Sequence, residues 1–312
     1  MSAVAVIGGG VVGTAVTLAL ARRGVETTLY EARDGLARAA SGTNSGILHT
    51  GFDSVPGELE TRLILRAAEL RDPVVEALGI PVWRCGALLN DRVIEGESIT
   101  DPVHFTRALA AAAQACGADI RTNTRVTERL DGLTVNCAGL YADEVARLYG
   151  DDSFEIYPRK GEFFVFDGIE LDRILLPAPT CRTKGVLVFP TLDGKVVAGP
   201  TAVDQTDKED WSVRPEALAE VRAKAADLLP AIADAEPIAS YAGLRPAGRD
   251  CNYVIRRASQ GLINVAAIRS TGLTASLGIA EYVAEMVAPG VAEMELPAVE
   301  VPRSEEPWWH RS

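Results

Sequence analysis

Gly8, Gly10 and Gly13 form a Gly-x-Gly-x-x-Gly run set between a short apolar stretch and a helical one. Glycines at this spacing let a backbone turn tightly, approach a pyrophosphate and pack a new helix close to its strand. Ala3 to Ile7 reads as a short buried strand. Val11 to Arg23 reads as the helix whose free N–H groups and positive dipole end face the phosphates. Glu26 to Tyr30 reads as the second strand. Glu31 follows eighteen residues after Gly13, where an acidic side chain hydrogen-bonds both ribose hydroxyls. An isolated glycine run is often a plain turn. Here strand, glycines, helix, strand and acid come in order, which predicts a dinucleotide site. No second run of this kind occurs, so one dinucleotide is expected.

Few other residues suit metal or thiol chemistry. Cys85, Cys116, Cys137, Cys181 and Cys251 are scattered, with no Cys-x-x-Cys, so no zinc, iron–sulfur or dithiol centre is expected. They read as small buried hydrophobes in a reducing, cytoplasmic setting. The three histidines, His49, His104 and His310, are too few for a multi-histidine metal site. A net charge of −12 over 312 residues makes nucleic acid and anionic membranes poor partners. No apolar run reaches the ~18 residues of a membrane span. A strand beginning at Ala3 leaves no room for a cleaved signal peptide.

The elements needed to position these residues alternate at first between strand and helix. A glycine- and serine-rich loop runs from Ala40 to Gly51. Glu58 to Leu78 has a helical apolar face, and Trp83 to Leu89 reads as a strand. Asp101-Pro102 starts an alanine-rich helix that Gly117 closes. Short strands are expected at Ile120, Val126 and Leu133–Cys137, then a helix near Ala142 to Tyr149. From Phe154 to Pro200 strands come without helices, with Asp193-Gly194 as a hairpin turn. Helices follow at Arg214–Leu229 and about Leu273–Val287, with strands between. A proline-rich acidic tail, 291–312, ends in Trp308 and Trp309 and reads as a strap over the surface.

The stretch Asn44-Ser-Gly-Ile-Leu-His-Thr-Gly51, with Pro56-Gly57, resembles the D-amino-acid-oxidase-like superfamily of FAD enzymes. It is most similar there to FAD-dependent glycerol-3-phosphate dehydrogenases and L-2-hydroxyglutarate oxidases. Asn136 to Asp143, Pro158 to Phe164, Gly243-Leu-Arg-Pro246 and Asn264 to Ser276 agree with the same family. The resemblance spans nearly the whole chain up to its last helix.

That resemblance implies an α/β fold with a discontinuous Rossmann-like FAD-binding domain and a smaller, mostly antiparallel substrate sheet. The expected segments are 1–80, 101–153 and 237–290 for the first, and 81–100 and 154–236 for the second. It also implies non-covalent FAD and hydride transfer from a substrate carbon to flavin N5. Carried over by position, Gly8, Gly10, Val12, Gly13, Glu31, Ala32 and Arg33 hold the ADP half. Ser41, Thr43, Asn44, Ser45 and Gly46 run beside the pyrophosphate and isoalloxazine. Val126, Ala138 and Gly139 border the cofactor, and Arg269, Ser270, Thr271, Gly272, Leu273 and Thr274 lie at the pyrimidine edge of the flavin.

Arg245 is the expected grip for a substrate carboxylate or phosphate, since a guanidinium pairs with either in two-pronged fashion. It could instead pair locally with Asp250. His49 is a candidate base for the substrate hydroxyl, or merely orders its loop. Tyr241 is a candidate substrate contact on the strand carrying Arg245, although the same signal is common in a core. His104 reads as structural; Arg159 and Lys160 could meet the anionic end of a substrate, but read better as solvated strand-edge charges.

The chain is short for this family. Between Asn90 and Asp101, where relatives make a long excursion, only Asp91 to Thr100 remains. A more open site is expected, or one completed by a partner chain or second copy. The leading expectation is oxidation of the CH–OH carbon of a small anionic metabolite, glycerol 3-phosphate or a 2-hydroxy acid. An amine or amino-acid oxidase of the glycine or sarcosine oxidase kind is the alternative, and an accessory flavoprotein subunit the next. Oxygen, a quinone or a partner subunit remain open as electron acceptors.

Overall fold

The computed structural model describes residues 3–177, 185–258, 261–304 and 306–310. Cys181 lies outside them.

Val4–Ile7 is buried along its whole length at the middle of a six-stranded sheet. It runs parallel to Thr27–Tyr30 on one side and Leu133–Asn136 on the other. Asp119–Arg121 extends the sheet beyond the former, and Leu262–Ala266 beyond the latter, both in parallel. Val254–Arg257 closes that second edge antiparallel.

Strand residues alternate between two faces. Ile263 and Val265 join the core built by four helices: α1 (Val11–Ala21), α2 (Leu59–Ala77), α3 (Pro102–Ala115) and α6 (Gly272–Val287). Leu262 and Ala266 face the short α4 (Ala142–Leu148) instead. Helices therefore cover both faces, which is why the central strands read as apolar runs. Asp101 starts α3 as expected, its Oδ1 accepting from the Val103 and His104 amides at 2.8 and 2.9 Å.

The second sheet is built on the eleven-residue strand Ile156–Phe166. Ala239–Gly248 lies antiparallel to it in a register that sets Arg245 opposite Arg159 and Tyr241 opposite Phe163. Val196–Gly199 and Leu187–Pro190 form the expected hairpin around Asp193-Gly194. Ile174–Leu176, Ala87–Leu89 and Arg92–Ile94 continue the sheet. Phe164, Phe166, Val188 and Val196 point to a core under α5 (Ala217–Leu228). Their neighbours Phe163, Val165, Leu187 and Phe189 point the opposite way. A small third sheet joins Ile47–Leu48, Ser98–Thr100 and Val82–Trp83.

Several expectations are corrected here. The stretch from Trp83 to Leu89 is two strands, because Gly86 takes φ 68° between them. Val126 is in an irregular segment rather than a strand. Ala239–Gly248, expected with the dinucleotide half, hydrogen-bonds into the second sheet. Ile47–Leu48 and Ser98–Thr100, assigned to different segments, pair with each other. Lys160 is buried, its Nζ donating to Asp210 at 2.8 Å and to the Ser212 carbonyl at 3.0 Å.

The tail is more than a surface strap. Met294 and Arg22 exchange hydrogen bonds at the end of α1. Trp308 and Trp309 are buried against the second sheet, with the Trp309 indole donating to Asp193. Among the described residues no helix is long and apolar enough to cross a membrane. Cys85, Cys116, Cys137 and Cys251 are free thiols, and burial pushes the Cys137 thiol up.

Candidate active site

A cavity of about 840 Å³ opens between the C-terminal ends of the parallel strands and the apolar face of the second sheet. Gly8 and Gly10 line its floor, with α1 beginning immediately after. Gly8 has φ 112°, and a Cβ there would stand 2.3 Å from the Cys137 carbonyl oxygen. Only glycine fits that turn. Gly13 lies behind the wall, where a Cβ would meet the Gly8 carbonyl oxygen at 1.9 Å. The two glycines thus bring the start of α1 against the strand it leaves.

Glu31 closes the far corner. Its Oε2 accepts from the Gly9 amide at 2.6 Å and its Oε1 from the Arg33 amide at 2.8 Å. Each oxygen retains a lone pair for a ribose hydroxyl. Ser41 Oγ accepts from the Val11 amide at 2.9 Å, which brings the 40–46 loop to the helix N-terminus. Thr43, Asn44 and Ser45 line the cavity from this loop. Gly46 does not, because it packs on the Thr100 carbonyl, 2.3 Å from where a Cβ would sit.

The remaining expected residues arrive from separate places. Val12, Ala32, Arg33, Val126, Ala138 and Gly139 line the dinucleotide end. Arg269, Ser270, Thr271, Gly272, Leu273 and Thr274 bring the N-terminus of α6 to the same cavity. The dipole of that helix favours negative charge there by about 0.3–1 kcal/mol at an exposed site. The glycine turn, the acid and two converging helix N-termini make a cradle shaped for a dinucleotide.

Arg245 enters from the second sheet. Its Nε donates to the Arg159 carbonyl at 3.2 Å, and its Nη2 to the Lys160 and Thr201 carbonyls at 3.3 and 2.7 Å. Its hydrogen bonds go to backbone carbonyls and not to Asp250. Burial pushes the guanidinium down to about 10, and nearby Arg159 and Arg269 push the same way. It is still a cation at neutral pH, set at a cavity wall with its hydrogen bonds spent on carbonyls and Asp204 as its nearby counter-charge. Arg159, on the same wall, is held by Asp204 at 2.5 Å.

His49 lines the cavity beside Thr274, whose hydroxyl accepts from the His49 amide at 3.1 Å. Arg71 on α2 donates to the His49 carbonyl at 3.2 Å. The ring Nδ1 lies 2.8 Å from Glu97 Oε2. Sequence reasoning did not single out Glu97. The only signal was its place in the shortened 91–100 stretch, next to Gly96.

Tyr241 does not line the cavity. Its ring stacks on Phe163 at 4.9 Å and meets the edge of Trp308 at 5.7 Å. The two rings cover it, so its side chain is buried between them although it shares a face with Phe163. Its neighbour Phe163 is the one that reaches the wall.

The model of the FAD-dependent oxidoreductase family known as DAO matches residues 3–93 and 93–286. The chain belongs to that family. It is 28% identical to a glycerol 3-phosphate dehydrogenase of Caloramator mitchellensis, over 91% of this chain and 73% of that protein. It is also 28% identical to a glycerol 3-phosphate oxidase of Mycoplasma pneumoniae, over 88% and 92% of the two chains. That alignment runs over 352 positions against a chain of 312, so it opens gaps in this chain, in keeping with its shortness. An L-2-hydroxyglutarate dehydrogenase of Mus musculus is 25% identical over 66% of this chain and 61% of its own.

Among solved structures, the reduced L-alpha-glycerophosphate oxidase of Mycoplasma pneumoniae with FAD bound superposes with a TM-score of 0.84 at 27% identity. It covers 95% of this chain and 97% of its own. A glycine oxidase of Bacillus cereus shares the fold at a TM-score of 0.80 and 20% identity, over 94% of this chain and 99% of its own. The protein is an FAD-dependent oxidoreductase, and the cradle described above fits the FAD that this family uses.

Proposed function

We propose that this family member oxidises the CH–OH carbon of a small anionic metabolite, either glycerol 3-phosphate or a 2-hydroxy acid. One observation carries the reading: Arg245, on the second sheet, and His49, just beyond the strand Ile47–Leu48 of the third, line one cavity with the dinucleotide cradle. The Arg245 guanidinium binds the substrate's phosphate or carboxylate through a charge-assisted fork. His49 takes the hydroxyl proton as the carbonyl forms. FAD held in the cradle would supply the acceptor for the hydride leaving that carbon. The apolar wall of Phe163, Leu187 and Phe189 helps to exclude water. The names of the glycerol 3-phosphate relatives support the substrate class, and scattered thiols suit a reducing compartment such as the cytoplasm.

Anaerobic titration of the FAD-loaded protein tests this. Glycerol 3-phosphate or 2-hydroxyglutarate is expected to bleach the oxidised flavin band, and glycine to leave it unchanged. Bleaching by glycine alone would overturn the reading in favour of amine oxidation. His49→Asn is expected to slow flavin reduction about 10³-fold while FAD content stays the same, within the usual range for a general base. An unchanged rate removes His49 from the chemistry.

Glu209 spans the dinucleotide end. It bonds Arg33 at 3.0 Å and accepts from the Tyr141 hydroxyl, and both of these partners line the cavity. An exposed pair of this kind is worth about 0.2–1 kcal/mol. Glu209→Ala is therefore expected to speed FAD release a few-fold, read as the return of free-flavin fluorescence after dilution. An unchanged release rate would show that the 203–212 segment has no hold on the cofactor.

A further inference from the structure

We propose that Glu97 is the positioning residue for His49, fixing which ring nitrogen carries hydrogen so that Nε2 is presented to the substrate hydroxyl. The inference rests on the reading of His49 as base. It concerns a residue that neither the glycine fingerprint nor the superfamily motifs include.

The geometry leaves little choice. The Glu97 side chain is 0% exposed, so its charge is stabilised only by what it touches. Its Oε1 accepts from both the amide and the hydroxyl of Thr50, at 2.7 and 2.9 Å. Its Oε2 faces His49 Nδ1 at 2.8 Å. Burial alone would raise the carboxyl, but the hydrogen bonds from His49 and Thr50 outweigh it and hold Glu97 below the usual carboxylate range. An ionised carboxylate only accepts. Nδ1 must therefore carry the hydrogen, and in the neutral ring the Nε2 lone pair is left for the cavity. A histidine arranged this way takes a proton at Nε2 and becomes a cation directly against the carboxylate, which stabilises it.

The chain is built to make this contact. Glu97 is 48 residues from His49, on the turn between Arg92–Ile94 and Ser98–Thr100. Gly96 takes φ 83° there, and a Cβ at Gly96 would already press on the Thr50 methyl at 3.0 Å. The turn thus brings Glu97 against the backbone of the 49–50 segment. Ser98–Thr100 then pairs with Ile47–Leu48, which locks the register of the two loops. The His49 backbone is held independently by Thr274 and Arg71. Arg71 on α2 and Cys85 beyond the turn both sense the Glu97 charge, and Asp53 shares the cavity wall with His49. A residue that merely tied two loops together would need neither a charge nor a ring nitrogen as its partner.

The test uses the full-length FAD-loaded protein with isotope-labelled histidine. Only three histidines contribute, and His49→Asn identifies the signal in question. Wild-type nitrogen shifts are expected to show His49 with hydrogen on Nδ1 at neutral to alkaline pH. Glu97→Gln is expected to populate the other tautomer and to move the acidic limb of flavin reduction by glycerol 3-phosphate to lower pH. It should also slow that reduction about 10²-fold, with substrate affinity and FAD content close to wild type. Glu97→Asp should restore the limb and part of the rate. Hydrogen on Nε2 in the wild type, or an unmoved tautomer and limb in Glu97→Gln, overturns the proposal. The wild-type spectrum decides even if the variant fails to fold. If the spectrum is as expected but no anionic hydroxy substrate bleaches the flavin, the positioning role is supported and the substrate reading falls.

Discussion

Gly13→Ala is expected to strip the protein of most of its FAD and to lower its melting midpoint by about 5 °C. The substitution adds one methyl group. That methyl would stand 1.9 Å from the Gly8 carbonyl oxygen and 3.4 Å from the Cys137 Cβ. The first of these is backbone, so no side-chain rotation relieves the overlap. Either α1 moves away from Val4–Ile7 or the turn at Gly8 opens. Overpacking of this kind costs about 3 kcal/mol, occasionally more. Both movements displace Val11 from Ser41 and Gly9 from Glu31, which are the bonds that shape the cradle. Flavin absorbance per purified chain and a melting curve check the result. An alanine variant with full FAD content and an unchanged midpoint would contradict the close approach.

Arg245→Met is expected to weaken binding of an anionic substrate by about 10²–10³-fold, since hydrogen bonds to charged groups are worth about 1.5–3 kcal/mol each. Methionine keeps the apolar stem and deletes the fork. The Arg159, Lys160 and Thr201 carbonyls also lose a donor, so the melting curve must be followed beside the titration. Arg245→Lys is expected to recover part of the affinity, because it restores charge without the planar geometry. The pH dependence runs in one direction. With the guanidinium pushed down to about 10, raising the pH through that value removes the cation and weakens binding. Affinity that is flat from pH 7 to 10 in the wild type and unchanged in Arg245→Met would place the anion elsewhere.

The dinucleotide half of the molecule was legible because its signals are local. Gly8, Gly13 and Glu31 act on backbone within a few turns of chain, and the strand and helix around them follow short-range periodicity. α3 was legible for the same reason, with its Asp101 cap and the Gly117 stop. The second half was legible as strands but not as pairings. Nothing in Ala239–Gly248 indicates that its partner is Ile156–Phe166 rather than a neighbour in the parallel sheet. Glu97 lay hidden because a glutamate in a Gly-Glu-Ser turn has no motif, and its meaning depends on a contact 48 residues away. Tyr241 was misread because strand parity says which face a side chain shares and not what covers it. The cover is Trp308, from a tail whose course no local pattern records.

The order of strands in the first sheet carries a consequence for how the protein is made. Leu133–Asn136 pairs with Val4–Ile7 on one edge and with Leu262–Ala266 on the other. At about 5–20 residues per second, residue 262 leaves the ribosome some 10–50 s after residue 13. Throughout that interval the nascent chain displays an apolar parallel edge with no neighbour. Trp308 and Trp309, which pack on the second sheet, are added later still. The first sheet is therefore completed only when Leu262–Ala266 arrives, long after the glycine turn at its centre has been made.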